Sequence, residues 1–389
     1  MKNIHPKSSP EIREFSSAPS GISVIVPTFG RVEMCERLFA SLQKSRKAFF
    51  EPTEIIVIDD SSELEAQQIE ALCVQYGVTY YFQRLGVAAK RNFGAKMAAY
   101  SLLLFIDSDC EATPNLLQEH WKLYCRNHTV VAGLGKTEFK GPESWIWQVV
   151  QLSPFLAAFE LGNREGNQIW GPSNNLSCRQ EMFQFLGGFD PTFPKNPGGE
   201  DVDFGYRLYQ QGYWLTKNPQ ALVYHTTETW NDIGQVVRRL FHWGQGEFYV
   251  YERHDRYLYF DCPKGMGIVL LMLPIASVAI ALTQHWQWLL LPLVFLLVNF
   301  CGRVILHVIY QRNLWREILK VCAAEILSLV YEVGLVSECI RHRWFVPLWY
   351  RPIVLPEEAI YLWNIQVIYS WVMFAQLVMG VAIVQLLVS

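Results

Sequence analysis

The sequence lacks the features of several common classes of protein. Its nine cysteines include no Cys-x-x-Cys pair and their number is odd, so neither a zinc finger nor a disulfide framework is predicted. The net charge at pH 7 is −3, which argues against general binding of nucleic acid. The G-x-G-x-x-G motif and the P-loop lysine motif are both absent, so the common dinucleotide and nucleoside-triphosphate sites are not expected.

The N-terminus has no apolar run, so we predict no secretory signal there. Residues 1–20 are polar and rich in Ser and Pro, a composition that predicts a flexible tail. The domain that follows the tail is therefore expected in the cytosol.

Charged residues make up only 18% of the chain, because two long stretches near its end have none. Residues 265–302 contain no Asp, Glu, Lys or Arg, a length of 38 residues, about twice the roughly 20 needed to cross a bilayer. Residues 359–389 are also uncharged. We predict a helical membrane region over residues 251–389. Its three spans are expected at about residues 266–283, 286–303 and 363–387.

Basic residues flank the predicted spans, and they predict the topology, since Lys and Arg concentrate on the cytoplasmic side. An integral membrane protein is expected, with its first domain in the cytosol and its C-terminus on the far side. Residues 317–340 are apolar but carry Lys320, Glu325, Glu332 and Glu338. Glu325 and Glu332 are seven positions apart and share a helical face. We predict an amphipathic helix on the membrane surface, with an additional span as the alternative.

Residues 21–250 alternate short apolar runs with longer mixed stretches. The runs predict strands, and the spacing of apolar residues between them, as in residues 33–44, predicts helices. Strands that alternate with helices are typical of a parallel sheet covered on both faces, where ligands bind beyond the carboxyl ends of the strands. The four runs are residues 23–27, 54–60, 78–82 and 101–109.

Carboxylates follow two of these strands and open one later helix. Asp107 and Asp109 come directly after the apolar run LLLFI, and such a pair can hold Mg²⁺ or Mn²⁺ beside a diphosphate. An exposed turn is the alternative interpretation of that pair. Glu200 and Asp201 follow two glycines where a helix is predicted to begin. Capping of the helix is the alternative there, because acids are favoured at a helix N-terminus.

Seven stretches, in this order, resemble the inverting glycosyltransferases of family 2. The resemblance covers roughly residues 21–245. It implies a GT-A fold over residues 21–250, a Rossmann-like α/β domain that binds a nucleotide sugar. The stretches are SVIVPTFGR (23–31), VIDDSS (57–62), GVAAKRNFGA (86–95), LFIDSD (104–109), GPSNNLSCR (171–179), GGFD (187–190) and GEDVDFGYRL (199–208).

The resemblance implies a role for each matching residue. Asp201 would be the general base, with Glu200 beside it positioning the acceptor. Asp109 would ligate Mn²⁺ or Mg²⁺, Asp107 would approach the ribose or the metal, and His225 is a possible third metal ligand. The nucleotide sugar would be held by Pro27, Thr28, Arg31, Asp59, Asp60, Lys90, Arg91 and Asp107.

A further group of residues is assigned to the side of the acceptor or the diphosphate. Processive synthases of this family carry the motif QxxRW, and residues 235–239 depart from it because Arg239 stands in place of Trp. That departure argues against processive synthesis. A basic amphipathic helix at the membrane surface is the alternative interpretation of this segment. The assigned residues are Trp170, Asn174, Gly199, Arg238, Arg239 and Trp243.

Together these features predict a membrane-anchored enzyme that transfers one sugar from a nucleotide-diphosphate sugar. The expected acceptor is a membrane-associated glycan or lipid, such as a polyprenyl-linked precursor, and membrane lipids are expected partners. Two alternatives remain, a processive polysaccharide synthase and a membrane scaffold whose transferase-like domain is inactive.

Overall fold

The structure, a computed structural model, describes residues 18–193, 198–255, 258–260, 265–310, 317–352, 378–379 and 381–386. These residues form two compact units. The first unit comprises the described residues up to Ser144 together with Phe155–Asp232, and the second comprises Trp145–Pro154 and the described residues from Ile233 onwards. The first unit ends at Asp232. The sequence analysis placed the end of the catalytic domain at residue 250, and that boundary stays a prediction.

The first unit is built around one mixed sheet whose strand order is β3-β2-β1-β4-β8-β6-β9-β5, with β7 paired to β9. Strands β1 to β3 and β4 pair in parallel, as the sequence predicts. Strand β8 then pairs antiparallel with both β4 and β6, so the whole sheet is mixed rather than purely parallel. The strands are β1 (Ile22–Thr28), β2 (Thr53–Asp59), β3 (Thr79–Phe82), β4 (Leu102–Ile106), β5 (Cys110–Ala112), β6 (Ala132–Lys140), β7 (Gly166–Gln168), β8 (Asn175–Arg179) and β9 (Leu215–Thr226).

Helices cover both faces of this sheet, because its central strands are apolar on both sides. Along β1, Val24 and Val26 belong to one buried cluster and Ile25 to another, as expected when successive side chains point to opposite faces. The helices of the first unit are α1 (Val32–Lys47), α2 (Glu63–Tyr76), α3 (Val87–Met97), α4 (Leu116–Arg126), α6 (Ala157–Glu160), α7 (Gln180–Phe185) and α8 (Glu200–Gln210); α5 (Trp145–Gln151) belongs to the second unit.

The second unit is mainly helical. Its longest helices are α9 (Ile233–Arg253) and α12 (Ile318–His342). They approach so closely that a Cβ added to Gly244 would lie 2.0 Å from the carbonyl oxygen of Tyr331. A Cβ added to Gly334 would lie 2.1 Å from the carbonyl oxygen of Phe241, so glycine on both helices makes the contact possible. The remaining elements are β10 (Leu258–Phe260), α10 (Gly265–Thr283), α11 (Leu291–Tyr310) and β11 (Tyr350–Pro352).

Helix α12 corresponds to the segment predicted to lie on the membrane surface, and its carboxylates are buried. Glu325, Glu332 and Glu338 are all buried within the unit. Glu332 accepts a hydrogen bond of 2.9 Å from the backbone N–H of Met266, at the start of α10. Glu338 accepts a hydrogen bond of 2.8 Å from the side chain of Gln245. These carboxylates therefore take part in contacts between helices.

Among the described residues, one helix, α10, has the length and composition needed to cross a membrane. It coincides with the predicted span at residues 266–283. The predicted span at residues 286–303 corresponds to a shorter apolar stretch, Trp286–Gly302, which begins with a 3₁₀ turn. The predicted span at residues 363–387 falls largely outside the described residues, as does most of the predicted tail, residues 1–20.

Candidate active site

The first part of the site lies where β1 and β2 end. Asp59, the last residue of β2, is fully buried and accepts hydrogen bonds from the backbone N–H of Ser61, at 3.0 Å, and from the Tyr80 hydroxyl, at 3.0 Å. Lys90 donates to the carbonyl oxygen of Thr28, at 2.7 Å, and to Asp60, at 2.5 Å. Burial lowers the pKa of Lys90, and Asp60 opposes that shift. These contacts fix Asp59 in one orientation and tie β1 to β2.

Arg91 connects the end of β4 to the start of α8. Its guanidinium is buried and donates to Asp107 at 2.7 Å and to Glu200 at 2.9 Å. It also lies over the ring of Phe189, 5.5 Å from the ring centre. One cation therefore holds together two carboxylates that the sequence assigned to different tasks, Asp107 to the donor and Glu200 to the acceptor.

Asp109 is nearly buried between a cation and a histidine. One carboxylate oxygen accepts a hydrogen bond of 2.7 Å from Arg31, and the other lies 3.4 Å from Nε2 of His225. Nδ1 of His225 lies 2.9 Å from the carbonyl oxygen of Thr226, which can only accept, so Nδ1 carries the hydrogen. In the neutral ring Nε2 then presents its lone pair towards Asp109, as a metal ligand must.

Three possible metal-ligand atoms converge at this place. A carboxylate oxygen of Asp109, Sγ of Cys110 and a ring nitrogen of His225 all lie within 4.8 Å of one another, and all three residues are buried. The sequence assigned Asp109 and His225 to a metal but did not assign Cys110, which directly follows the D-x-D motif. Asp107, the third assigned ligand, is outside this group and pairs with Arg91.

The start of α8 holds the two carboxylates assigned to catalysis. Gly199 precedes the helix with a φ of 93°, a left-handed conformation that favours glycine. Glu200 is buried and accepts a hydrogen bond of 3.1 Å from the backbone N–H of Gly198. Burial, followed by the negative charge of Glu200, raises the pKa of Asp201 to about 7, while the positive charge of Arg91 opposes the shift. Asp201 can thus accept a proton near neutral pH.

The residues assigned to the acceptor or diphosphate side fall in both units. Trp170 lies against α8, since a Cβ added to Gly205 would be 2.5 Å from Cβ of Trp170. Asn174 is buried beside the metal-compatible group, with Nδ2 3.8 Å from Sγ of Cys110. Gly199 precedes α8, as described above. Arg238, Arg239 and Trp243 lie on α9 of the second unit, and the role of all these residues stays a prediction.

Comparison with known proteins supports the fold described above. Residues 23–185 match the sequence profile of the family described as "Glycosyl transferase family 2". The chain is also similar in structure to the mannosyltransferase PcManGT from Pyrobaculum calidifontis, in complex with GDP-Man and Mn²⁺. That likeness has a TM-score of 0.50 and 14% sequence identity, and it covers 83% of this chain and 88% of that one. At this identity it shows the fold alone.

Curated relatives are similar over about half of the chain. Validoxylamine A glucosyltransferase from Streptomyces hygroscopicus subsp. jinggangensis (strain 5008) is 29% identical over 230 residues, 51% of this chain and 54% of that protein. Chondroitin synthase from Escherichia coli is 25% identical over 248 residues, 53% of this chain and 34% of that protein. The chain thus spans about half the length of the glucosyltransferase. Residues 23–185 thus match a glycosyl transferase family 2 domain, and the structural likeness agrees with a GT-A-type fold. The resemblance to family 2 is confirmed for that part of the chain.

Proposed function

We propose that the chain transfers a sugar from a nucleotide-diphosphate sugar to a hydroxyl group of a membrane-associated glycan or lipid, with inversion at the anomeric carbon. The single observation that carries the proposal is Asp201, a carboxylate at the start of α8 whose pKa is raised to about 7. A general base works best when its pKa is close to the working pH. Arg91 connects its neighbour Glu200 to Asp107 at the end of β4, so base and donor residues belong to one network.

The donor half of the site follows from the strand ends. Asp59, held by Ser61 and Tyr80, can accept hydrogen bonds from the base or ribose of a nucleotide with its remaining lone pairs. Lys90 and Arg91 supply positive charge beside it, as a diphosphate requires. The glucosyltransferase relative and the mannosyltransferase solved with GDP-Man support a nucleotide sugar as donor.

A divalent cation fits the group at the end of β4. Asp109 offers a carboxylate oxygen and His225 offers Nε2, whose tautomer is fixed by the contact of Nδ1 with the Thr226 carbonyl. When bound, Mn²⁺ or Mg²⁺ supplies positive charge that stabilises a leaving diphosphate. The Mn²⁺ in the mannosyltransferase complex supports this assignment.

In the proposed reaction, Asp201 accepts the proton of the attacking hydroxyl group. An acceptor hydroxyl loses its proton to the Asp201 carboxylate as its oxygen forms a bond to the anomeric carbon. The bond from that carbon to the diphosphate oxygen breaks on the opposite side, and the nucleoside diphosphate leaves with the electron pair. Attack opposite to the leaving group inverts the anomeric centre. Glu200, held by Arg91, positions the acceptor beside the base.

Membrane association is supported by the apolar surface of the second unit. Only 28% of the most apolar part of α10 is buried, whereas a core helix of a soluble protein is mostly buried. On α12, the residues Leu319, Ile326, Val333 and Ile340 are exposed at intervals of seven, which places them on one face. The glutamates of the same helix are buried. A helix that buries charge and exposes apolar side chains suits contact with lipid.

A processive synthase is the second candidate, because the relatives include chondroitin synthase. The length of the product separates the two candidates. Arg239, in place of the Trp of QxxRW, favours transfer of a single sugar.

The test uses the full chain purified in detergent with Mn²⁺ and a panel of nucleotide sugars that includes UDP-glucose and GDP-mannose. Release of nucleoside diphosphate is measured for the wild type, Asp201→Asn and Asp109→Ala. Glu70→Gln, an exposed carboxylate on α2, is the matched control. We expect one donor to be turned over by the wild type and the control only. A wild-type protein that neither turns over nor binds any donor would leave the inactive scaffold as the better description.

A further inference from the structure

Cys110 lies beside the two residues assigned to the cation, and the proposed reaction does not use it. Its Sγ is within 4.8 Å of both the Asp109 oxygen and the His225 nitrogen. The exposed fractions of the three residues are 6% for Asp109, 1% for Cys110 and 5% for His225. The group therefore presents one oxygen, one sulfur and one nitrogen in a nearly dry environment.

The backbone determines this arrangement. Cys110 and His225 face each other across the antiparallel pair β5–β9, so the pairing register sets the distance between their side chains. The thiol is also oriented by Asn174, whose Nδ2 lies 3.8 Å from Sγ and donates to Thr137 at 3.0 Å. Asn174 is itself only 2% exposed. The position of Sγ thus follows from strand pairing and from a buried amide.

The three ligand atoms differ from the set that Mg²⁺ or Mn²⁺ prefers. Those ions favour oxygen ligands, whereas imidazole and thiolate favour Zn²⁺ and Co²⁺. Catalytic zinc sites commonly use three protein ligands and keep a fourth position for water or substrate. Asp109, Cys110 and His225 provide one ligand each, in a group compact enough to close around one ion.

We propose that Cys110 is a third protein ligand of this cation site, and that the site takes thiophilic divalent ions such as Zn²⁺ or Co²⁺ through a sulfur–metal bond. The thiol proton passes to solvent as that bond forms, and the metal gives up a bound water. The fourth position stays open for a diphosphate oxygen. The inference rests on the proposed function for the location of the cation, and it adds a ligand and a class of metal.

Cys110 has another possible role, as a small residue of the apolar core that includes Ile106 and Ala112. In that case its sulfur would never contact the metal, and removing it would change only packing. The two roles differ in one spectroscopic property, because only a thiolate bound to Co²⁺ gives an intense charge-transfer absorption in the near ultraviolet.

The experiment titrates the full chain in detergent with Co²⁺ and records the absorption spectrum. Cys110→Ser and Cys110→Ala are compared with Cys73→Ser, which removes another buried cysteine from the same core cluster. We expect the wild type and Cys73→Ser to show the thiolate band. Both Cys110 variants should lose the band and bind Co²⁺ on the order of 10-fold or more weakly, the scale known for residues that only orient metal ligands.

A wild-type protein that is saturated with Co²⁺ and shows no thiolate band would overturn the inference. So would a band that persists in a folded Cys110 variant, where folding is checked by circular dichroism. Turnover of a donor with Mn²⁺ is measured in parallel. Turnover without a thiolate band rejects Cys110 as a ligand and leaves the proposed function standing. A thiolate band without turnover supports Cys110 as a ligand and rejects the proposed function.

Discussion

The dependence of the reaction rate on pH should report the protonation of Asp201. Its pKa is raised to about 7, first by burial and then by the charge of Glu200. The base accepts a proton only when it is ionised, so the rate should fall as pH drops through that value. Replacing Asp201 by Asn removes the proton acceptor and keeps the size of the side chain.

The size of both effects can be worked out. With a pKa of about 7, kcat/KM for the wild type should be about tenfold lower at pH 6 than at high pH, and about a hundredfold lower at pH 5, because a single ionisation reduces the active fraction tenfold per unit. General base catalysis contributes typically about 100- to 10,000-fold to a rate. Asp201→Asn should therefore lose a factor in that range at pH 8, and the remaining rate should no longer show the step near pH 7.

The assay is release of nucleoside diphosphate with saturating acceptor from pH 5 to 9, at constant Mn²⁺. Glu200→Gln tests the cause of the shift, since removing the neighbouring negative charge should move the wild-type step below pH 7. The reasoning is refuted if Asp201→Asn keeps a tenth of the wild-type rate or more. It is also refuted if Glu200→Gln moves the step to higher pH.

Three further predictions concern the surroundings of the site and the second unit. His225→Ala should raise the Mn²⁺ concentration needed for half-maximal turnover by on the order of 10- to 100-fold, measured by metal titration. Tyr80→Phe removes a hydrogen bond to Asp59; it should raise the donor KM several-fold with kcat nearly unchanged, in steady-state kinetics. Gly244→Ala should lower the thermal unfolding temperature, although Gly→Ala in a helix usually stabilises, because the new Cβ would lie 2.0 Å from the Tyr331 carbonyl oxygen.

The local features of the fold could be predicted because they depend on residues close in sequence. The apolar run LLLFI forms β4, and Asp107 and Asp109 follow it as expected. The same holds for β2, which ends at Asp59. The mixed character of the sheet was not predictable, since β8 is joined to β4 by tertiary pairing and its short sequence carries no mark of strand direction.

Contacts between distant residues escaped the sequence for a similar reason. Arg91 is 109 positions from Glu200 and 16 from Asp107, so no local pattern indicates that one guanidinium contacts both. Cys110 was missed because apolar cysteines in a strand usually signal core packing. Asp109 lies just before β5, which begins at Cys110. The alternation of side chains along a strand therefore does not predict whether the side chains of Asp109 and Cys110 lie together.

The carboxylates of helix α12 show what charge patterning leaves open. Glu325 and Glu332 share one face, and a water-facing side is the usual explanation for that pattern. In the structure this face packs inside the second unit, and Glu332 accepts from the first turn of α10. A carboxylate at a helix N-terminus satisfies a backbone N–H that has no partner within its own helix. The sequence alone could not distinguish a partner in the protein from a partner in water.

The adjacent carboxylates Glu200 and Asp201 can perform different tasks only if their environments differ. Arg91 contacts Glu200 directly. Burial and the negative charge of Glu200 raise the pKa of Asp201. The acid that contacts the arginine can serve as an anchor, and the acid with the raised pKa can serve as the proton acceptor. Because Arg91 also contacts Asp107 at the donor end, a change in the charge around Asp107 should alter how strongly Glu200 is held, and through it the basicity of Asp201. The arginine is therefore the element through which the donor side can influence the base.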